Sequence, residues 1–343
     1  MSPGSPAVSV VMIHHQAERF IDEAIASVRA QTIADWELLV VDDGSTDGSA
    51  AIVARHTTDD PARVRTLAHP GGGNRGMAAA RNLGMAAARG RAIAFLDADD
   101  VWRPERLARH LAALEAHPAV DVVLGSTVEW RSWEPGARRS DRVLSPGVTA
   151  HREFDPPSLL ALLLAPGLGA YPGVCSVTFR RGPEAPPPRI PEEFTGMCED
   201  QCLFALLLAQ RRAVVVDSAD ALYRQHPASH VARHTRERAT AELRYLQWLD
   251  DHLRRSGIHD VALDAAIAAR FALHRRPMRT DIAGLPRRIA RAAVAGVERG
   301  GAALLPNTAA LMLDRALQCW REARRRHRIR AAERRAFESD DDA

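Results

Sequence analysis

The chain has 343 residues, 46% of them hydrophobic, and 46 basic residues against 43 acidic ones give a formal net charge of +3. A chain of this length can bury one substantial core and carry a smaller appendage. Its small charge, with every basic side chain an arginine, excludes a nucleic-acid surface over the whole molecule, because such a footprint needs clustered charge.

Val8 to Ile13 predicts a first strand, and Glu18 to Ala30 a helix with Phe20, Ile21, Ile25 and Val28 at helical spacing. A second strand from Glu37 leaves through the acidic turn Asp42 to Gly48, with a helix behind it from Ser49 to His56. Val64 to Ala68 reads as a weak third strand, and Met77 to Ala88 as an alanine-rich helix stopped by Gly90. Ala92 to Trp102, AIAFLDADDVW, is an apolar run ending in Asp97, Asp99 and Asp100. Carboxylates crowded at the exit of a buried strand are costly unless something positive binds there. If the backbone stays extended, Asp97 and Asp99 point the same way, able to hold one hard cation or to divide the work between a cation and a sugar hydroxyl. Asp100 points to the other face, and either belongs to the site or caps the helix expected from Pro104 to His117.

Another strand is expected from Asp121 to Val128, then a Pro/Gly-rich stretch to Pro191 holding a helix near Ser158 to Ala165 and a strand from Val174 to Phe179. Cys198 to Gln201 opens an apolar helix, Ala213 to Val216 is a strand, and Tyr223 to Pro227 closes the unit. Repeated strand and helix units of this length imply a mainly parallel sheet flanked by helices, whose ligands sit at the carboxyl ends of the strands. Asp42, Asp43, Asp97 and Asp99 all fall at such ends. Beyond Val231 the composition becomes helical and arginine-rich, and Glu338 to Ala343 is a frayed acidic end. Asn307 can cap a helix leading into Arg321 to Arg335, where eight arginines face two glutamates. That segment predicts either a helix docked on the rest of the chain or a contact with anionic lipid.

The four cysteines, Cys175, Cys198, Cys202 and Cys319, fit neither a disulfide framework nor paired zinc knuckles. Met1 to Ala7 lacks a basic leader region, and the longest apolar block, Leu159 to Ala165, is too short to cross a bilayer; a cytoplasmic protein is expected. Gly71 to Gly76 satisfies the G-x-G-x-x-G pattern, but His69 and Pro70 separate it from a poor strand, against a dinucleotide fingerprint. Asp43 to Gly48 imitates a calcium loop, yet the twelfth position is Ala54, where that loop needs glutamate.

The ordered segments VSVVMI, AIASVRAQTIADWELLVVDDGSTDGS and MAAARNLGMAAARGRAIAFLDADDVWRPERL resemble family 2 glycosyltransferases, closely over Val8 to Arg109 and more loosely through CEDQCLFALLLA and YRQHPAS to Ser229. The resemblance implies the glycosyltransferase A fold for a nucleotide-sugar-binding catalytic unit over 1–235, while the helical, arginine-rich region read from composition over 236–343 has no counterpart in the family's core. It implies base recognition by Asp43 with Asp42 beside it, Arg81 and Asp97 near the donor, and Asp99 and His226 at a divalent cation, Mn2+ or Mg2+. Asp200, in the Glu-Asp pair, matches the general base. Where the family has Pro-Thr-Tyr-Asn, this chain has Ile13, His14, His15 and Gln16, so contacts from that loop are not carried over, and the two histidines receive no role.

The chemistry asks for the same residue types. Negative charge builds on a leaving diphosphate, which a cation stabilises, and the acceptor hydroxyl must lose a proton to a base. The expected activity is inverting transfer from a nucleotide diphosphate sugar, a UDP-sugar first, to a glycan, lipid-linked or other hydroxyl acceptor in surface polysaccharide or glycolipid synthesis. A non-catalytic scaffold on the same fold would not need Asp200, and a sugar nucleotidyltransferase would want a glycine-rich basic loop where His14 to Ala17 stands.

Overall fold

The computed structural model of the chain describes residues 5–274 apart from 138, 168–170, 183–185 and 235. The expectations for Asn307, Cys319, Arg321 to Arg335 and the acidic end lie outside the described residues.

The first half alternates as the sequence predicts, apart from a short β5 that it does not predict: β1 (Val8–His14), α1 (Ile21–Arg29), β2 (Trp36–Asp42), α2 (Ser49–Asp59), β3 (Val64–Ala68), α3 (Met77–Ala87), β4 (Ala92–Asp97), β5 (Val101–Trp102) and α4 (Arg106–Ala116). Both faces of the central strands are covered, and side chains alternate between them. Val11 and Ile13 of β1, Leu39 and Val41 of β2, and Ile93 and Phe95 of β4 enter one core cluster; Val10 and Met12, Leu38 and Val40, and Ala94 and Leu96 enter the other. Gly90 does not act as a helix stop of the left-handed kind. It lies where α3 has already ended at Ala88, and a Cβ there would run into the backbone of Val8 and Ser9.

The second half is less regular: β6 (Val122–Leu124), β7 (Thr127–Trp130), β8 (Arg142–Leu144), β9 (Glu153–Phe154), α5 (Ser158–Leu164), a single 3-10 turn at Val174–Ser176, β10 (Val177–Arg180), α6 (Glu199–Leu208), β11 (Ala213–Val215), β12 (Ala221–Arg224), α7 (His230–Arg233), α8 (Arg238–Arg255) and α9 (Val261–His274). The strand expected over Asp121 to Val128 is two strands in two sheets. Gly125 donates to the Ser176 carbonyl and Ser126 to the Ser218 carbonyl, so the backbone turns from one sheet into the other between them.

The large sheet runs β3-β2-β1-β4-β10-β6-β11-β9 and the small one β5-β12-β7-β8. The first four strands of the large sheet are parallel, and β10 is antiparallel to both of its neighbours. The chain moves outward from β1 to β2 and β3, then returns through α3 to β4 on the other side of β1. That reversal leaves a crevice at the carboxyl ends of β1 and β4. Register brings His14 beside Asp42 and Ile13 beside Asp97 there.

The small sheet lies under the same crevice: β5 follows the acidic turn directly, and β12 pairs with it through Ala221 opposite Trp102. Residues 236–274 enter the main core, where Tyr245, Leu246 and Leu249 of α8 and Leu263 and Ile267 of α9 join Leu160 and Leu164 of α5 and Phe204 of α6. No helix among the described residues is long and apolar enough to cross a membrane.

Candidate active site

The acidic turn does not stay extended. The Asp100 amide donates to the Asp97 carbonyl at 3.0 Å, so β4 ends at Asp97 and the chain doubles into β5. The turn still leaves the side chains of Asp97 and Asp99 at the mouth of the crevice, 30% and 29% exposed, with nearly enclosed partners behind them. Asp99 Oδ2 lies 3.0 Å from His226 Nε2, and the imidazole packs on Phe20 with ring centroids 4.7 Å apart. His226 therefore stands behind Asp99, its Nδ1 buried without a hydrogen-bond partner.

Asp100 is not a helix cap. Its carboxylate is buried and accepts the Arg224 amide at 2.9 Å, while the Arg224 Nε donates to the Asp99 carbonyl at 2.8 Å and Nη2 to Glu23 at 2.6 Å. The Arg224 guanidinium also lies over the rings of Phe20, Trp130 and Trp133. Arg224 thus ties β12 to the acidic turn and sets His226, two residues on, opposite Asp99. Sequence reasoning singled out the histidine and missed this arginine, whose signal was its place inside the same YRQH segment.

Arg81, expected near the donor, bonds to one of the two acids at the mouth of the crevice. It is buried, its Nη1 donates to Glu199, 118 residues on, at 2.6 Å and its Nη2 to Asp97 at 2.7 Å, so one guanidinium joins the D-x-D turn to the Glu-Asp pair. Only the planar fork of arginine makes both bonds at once. Asp200 follows Glu199 in the first turn of α6, entered through Cys198 at φ 67°. A left-handed backbone at a residue other than glycine costs about 1–2 kcal/mol and persists where the surroundings hold it, as at functional sites.

One cation thus serves three carboxylates, and burial raises the pKa of all three against the opposing pull of Arg81: Asp97 and Asp200 move up, and Glu199 is pushed to about 7. For a base, an upward shift strengthens its hold on the proton it must take. Glu199 carries a stability consequence. Its folded value lies above the ordinary 4.5, so its stabilising contribution is complete below that pH and is lost as pH rises through about 7. Glu199→Gln should flatten the decline of the melting temperature between about pH 5 and pH 7. Melting curves across that range check it, and parallel slopes for both proteins would refute the shift.

At the other end of the crevice Asp43 is buried and accepts the amides of Arg75 at 2.7 Å and Gly76 at 2.9 Å. Its carboxylate therefore pins the loop between β3 and α3 over the end of β2. Gly44, at φ 79°, makes room: a Cβ there would stand 2.6 Å from the Asn74 nitrogen. Asp42 accepts the Ser45 amide at 2.8 Å. The departures from Pro-Thr-Tyr-Asn are used to hold this turn. Ser45 Oγ lies 3.2 Å from His14 Nδ1, His15 Nδ1 lies 3.0 Å from the Asp43 carbonyl, and Gln16 Oε1 accepts the amides of Thr46 and Asp47. His14 and His69 each keep a buried Nε2 without a hydrogen-bond partner, His69 at 3.6 Å from Asp43.

No cluster of three or more His, Cys, Asp or Glu side chains fit to hold a metal occurs among the described residues. What is present suits a cation that shares its ligands with a substrate. Asp97 commits Oδ1 to Arg81 and Asp99 commits Oδ2 to His226, and the second oxygen of each accepts no hydrogen bond from the described residues. A hard divalent ion bound through one or two carboxylates takes the remainder of its shell from diphosphate and water.

The family model for glycosyl transferase family 2 matches residues 9–182. The chain is 38% identical over 107 residues to the UDP-Glc:alpha-D-GlcNAc-diphosphoundecaprenol beta-1,3-glucosyltransferase WfgD of Escherichia coli, an alignment covering 31% of this chain and 40% of that protein. It spans less than two thirds of the length of the curated relatives it matches. Among solved structures it is similar to Staphylococcus aureus TarS 1-349 in complex with UDP-GlcNAc, with a TM-score of 0.57 at 18% identity over 85% of this chain and 80% of that one. It is also similar to the mannosyltransferase PcManGT of Pyrobaculum calidifontis in complex with GDP-Man and Mn2+, with a TM-score of 0.55 at 20% identity over 93% of this chain and 83% of that one. These likenesses fix the fold as glycosyltransferase A.

Proposed function

The chain belongs to glycosyl transferase family 2, and from that premise we propose that it moves a sugar, with inversion, from a nucleotide diphosphate sugar to an acceptor hydroxyl in polysaccharide or glycolipid synthesis. The observation that carries this reading is the Arg81 bridge, which holds the acids suited to a diphosphate-bound cation and the Glu-Asp pair in one site. We take the donor as a UDP-sugar and the acceptor as a lipid-linked or other glycan, in line with the name of the E. coli relative. We assign the work to residues 1–235 and to the cytoplasm.

In this mechanism Asp42 and Asp43 form the nucleotide end of the crevice, Asp43 through the loop it pins. Asp97 and Asp99 would hold Mn2+ or Mg2+, which when bound supplies Lewis-acid stabilisation of the diphosphate. His226 orients the Asp99 carboxylate, and Arg224 holds the turn that presents both acids. Arg81 stays protonated between Asp97 and Glu199 and fixes the distance between donor and base. Asp200, its pKa raised by burial, takes the acceptor proton. A single base with no second carboxylate acting as nucleophile supports one displacement, hence inversion.

The test is a screen of UDP- and GDP-sugars with Mn2+ or Mg2+ for thermal stabilisation, followed by release of the nucleoside diphosphate. A ligand at about a hundred times its dissociation constant adds roughly 2.7 kcal/mol, an easily read shift. Asp99→Ala should remove the metal-dependent part of the stabilisation and abolish turnover. Turnover that persists in the variant, or in wild type with excess chelator, refutes the cation assignment.

A further inference from the structure

A cleft of about 570 Å³ opens between the donor-side loop Asn74–Gly76, the segment Glu193–Met197 that leads into α6, and α7 with the start of α8. Two of its walls belong to the machinery already described. The loop is the one Asp43 pins, and Met197 stands three residues ahead of Asp200. The walls are locked together: the Met77 amide donates to the Thr195 carbonyl, and Gly76, at φ 87°, lies so close that a Cβ would meet that oxygen at 2.7 Å. A molecule filling the cleft therefore touches both the donor loop and the approach to the base.

The third wall says what kind of molecule this is. His230 and His234 stack with centroids 4.0 Å apart and planes 21° from parallel. Gly196 admits this stack, since a Cβ there would sit 2.9 Å from His230 Nε2. Burial and the neighbouring His234 lower the His230 pKa, favouring a neutral ring. The lining carries two guanidinium groups, Arg75 and Arg244, against two carboxylates, Glu193 and Glu237. These two pairs of opposite charge cancel, which gives no preference for an anion. Planar donors and acceptors of both signs, with the hydroxyls of Thr195 and Thr240, match a neutral ligand rich in vicinal hydroxyls. The volume lies within the roughly 300–1,000 Å³ usual for small-ligand sites.

We propose that this cleft is the acceptor subsite, holding a neutral saccharide portion of the acceptor against the His230–His234 stack and Arg244. The proposal rests on the glycosyltransferase reading above, and its test separates the two.

The test measures UDP release from the UDP-sugar found in the donor screen, first into water alone and then with methyl glycosides of glucose, galactose, mannose and N-acetylglucosamine as probes. At least one glycoside should accelerate release by wild type. Gly196→Ala, which displaces His230, and Arg244→Ala, at an exposed position that spares folding, should each raise the KM for that glycoside about tenfold, the equivalent of one or two lost hydrogen bonds. The glycoside-free rate and UDP affinity should stay within about twofold in Arg244→Ala, because Arg244 lies on α8, outside the donor loop and the Glu-Asp pair. Thr240→Trp, which fills the cleft, should remove the acceleration and leave the water reaction intact. Release into water by wild type that no glycoside accelerates, or an unchanged KM in all three variants, overturns the subsite. Absence of any release, with every donor sugar, defeats the premise and the subsite with it.

Discussion

Replacing Asp200 by asparagine should lower transfer by roughly a hundredfold to ten-thousandfold, about 3 to 5 kcal/mol of barrier, while UDP and cation affinity stay within a few fold. Asparagine keeps the size and much of the hydrogen-bonding shape but cannot accept the acceptor's proton. The opposing account makes Asp200 a helix-start charge that complements the dipole of α6, worth about 0.3 to 1 kcal/mol of stability with transfer nearly untouched. The structure gives reasons to separate them. Asp200 sits behind a left-handed Cys198, beside a buried Glu199 and within the field of Arg81, and its pKa is raised, whereas an exposed helix-start acid gains by staying ionised. One rate and one melting curve decide, and a variant as fast as wild type removes Asp200 from the mechanism.

The first half of the fold was readable because its physics is local. β1, β2 and β4 are buried on both faces and appear as mainly apolar runs, broken only by Ser9 and Glu37, and each ends in the polar residues that line the crevice. The second half was not, because its strands are three or four residues long and take their sheet from partners far along the chain. Nothing local to Asp121 to Val128 says that β6 joins β10 and β11 while β7 joins β12, though Gly125 marked the turn. The site divides the same way. Acids at strand ends were visible, but Asp100 took its partner from Arg224, 124 residues on, and only the fold could turn a candidate helix cap into a strut.

Arg81 shows the same limit and sets the largest stability effect expected for a single change. The family resemblance of its Ala-Arg-Asn segment implies a place near the donor; in the fold its two terminal nitrogens are engaged by Asp97 and Glu199. If it only touched donor, Arg81→Met would raise the donor KM and leave stability within about 0.5 kcal/mol, as surface changes do. As the bridge, its loss leaves the enclosed Glu199 without its cation, and breaking such a buried pair costs about 3–5 kcal/mol. Arg81→Lys should recover only part of this, because a single ammonium cannot reproduce two parallel bonds of 2.6 and 2.7 Å. Adding Glu199→Gln to Arg81→Met should restore stability, since the amide removes a charge the methionine can no longer balance. Denaturant midpoints of the four proteins measure this directly. A stable Arg81→Met with a weakened donor KM would return the arginine to the donor. A destabilised one rescued by Glu199→Gln makes it the residue that holds the two halves of the site in register.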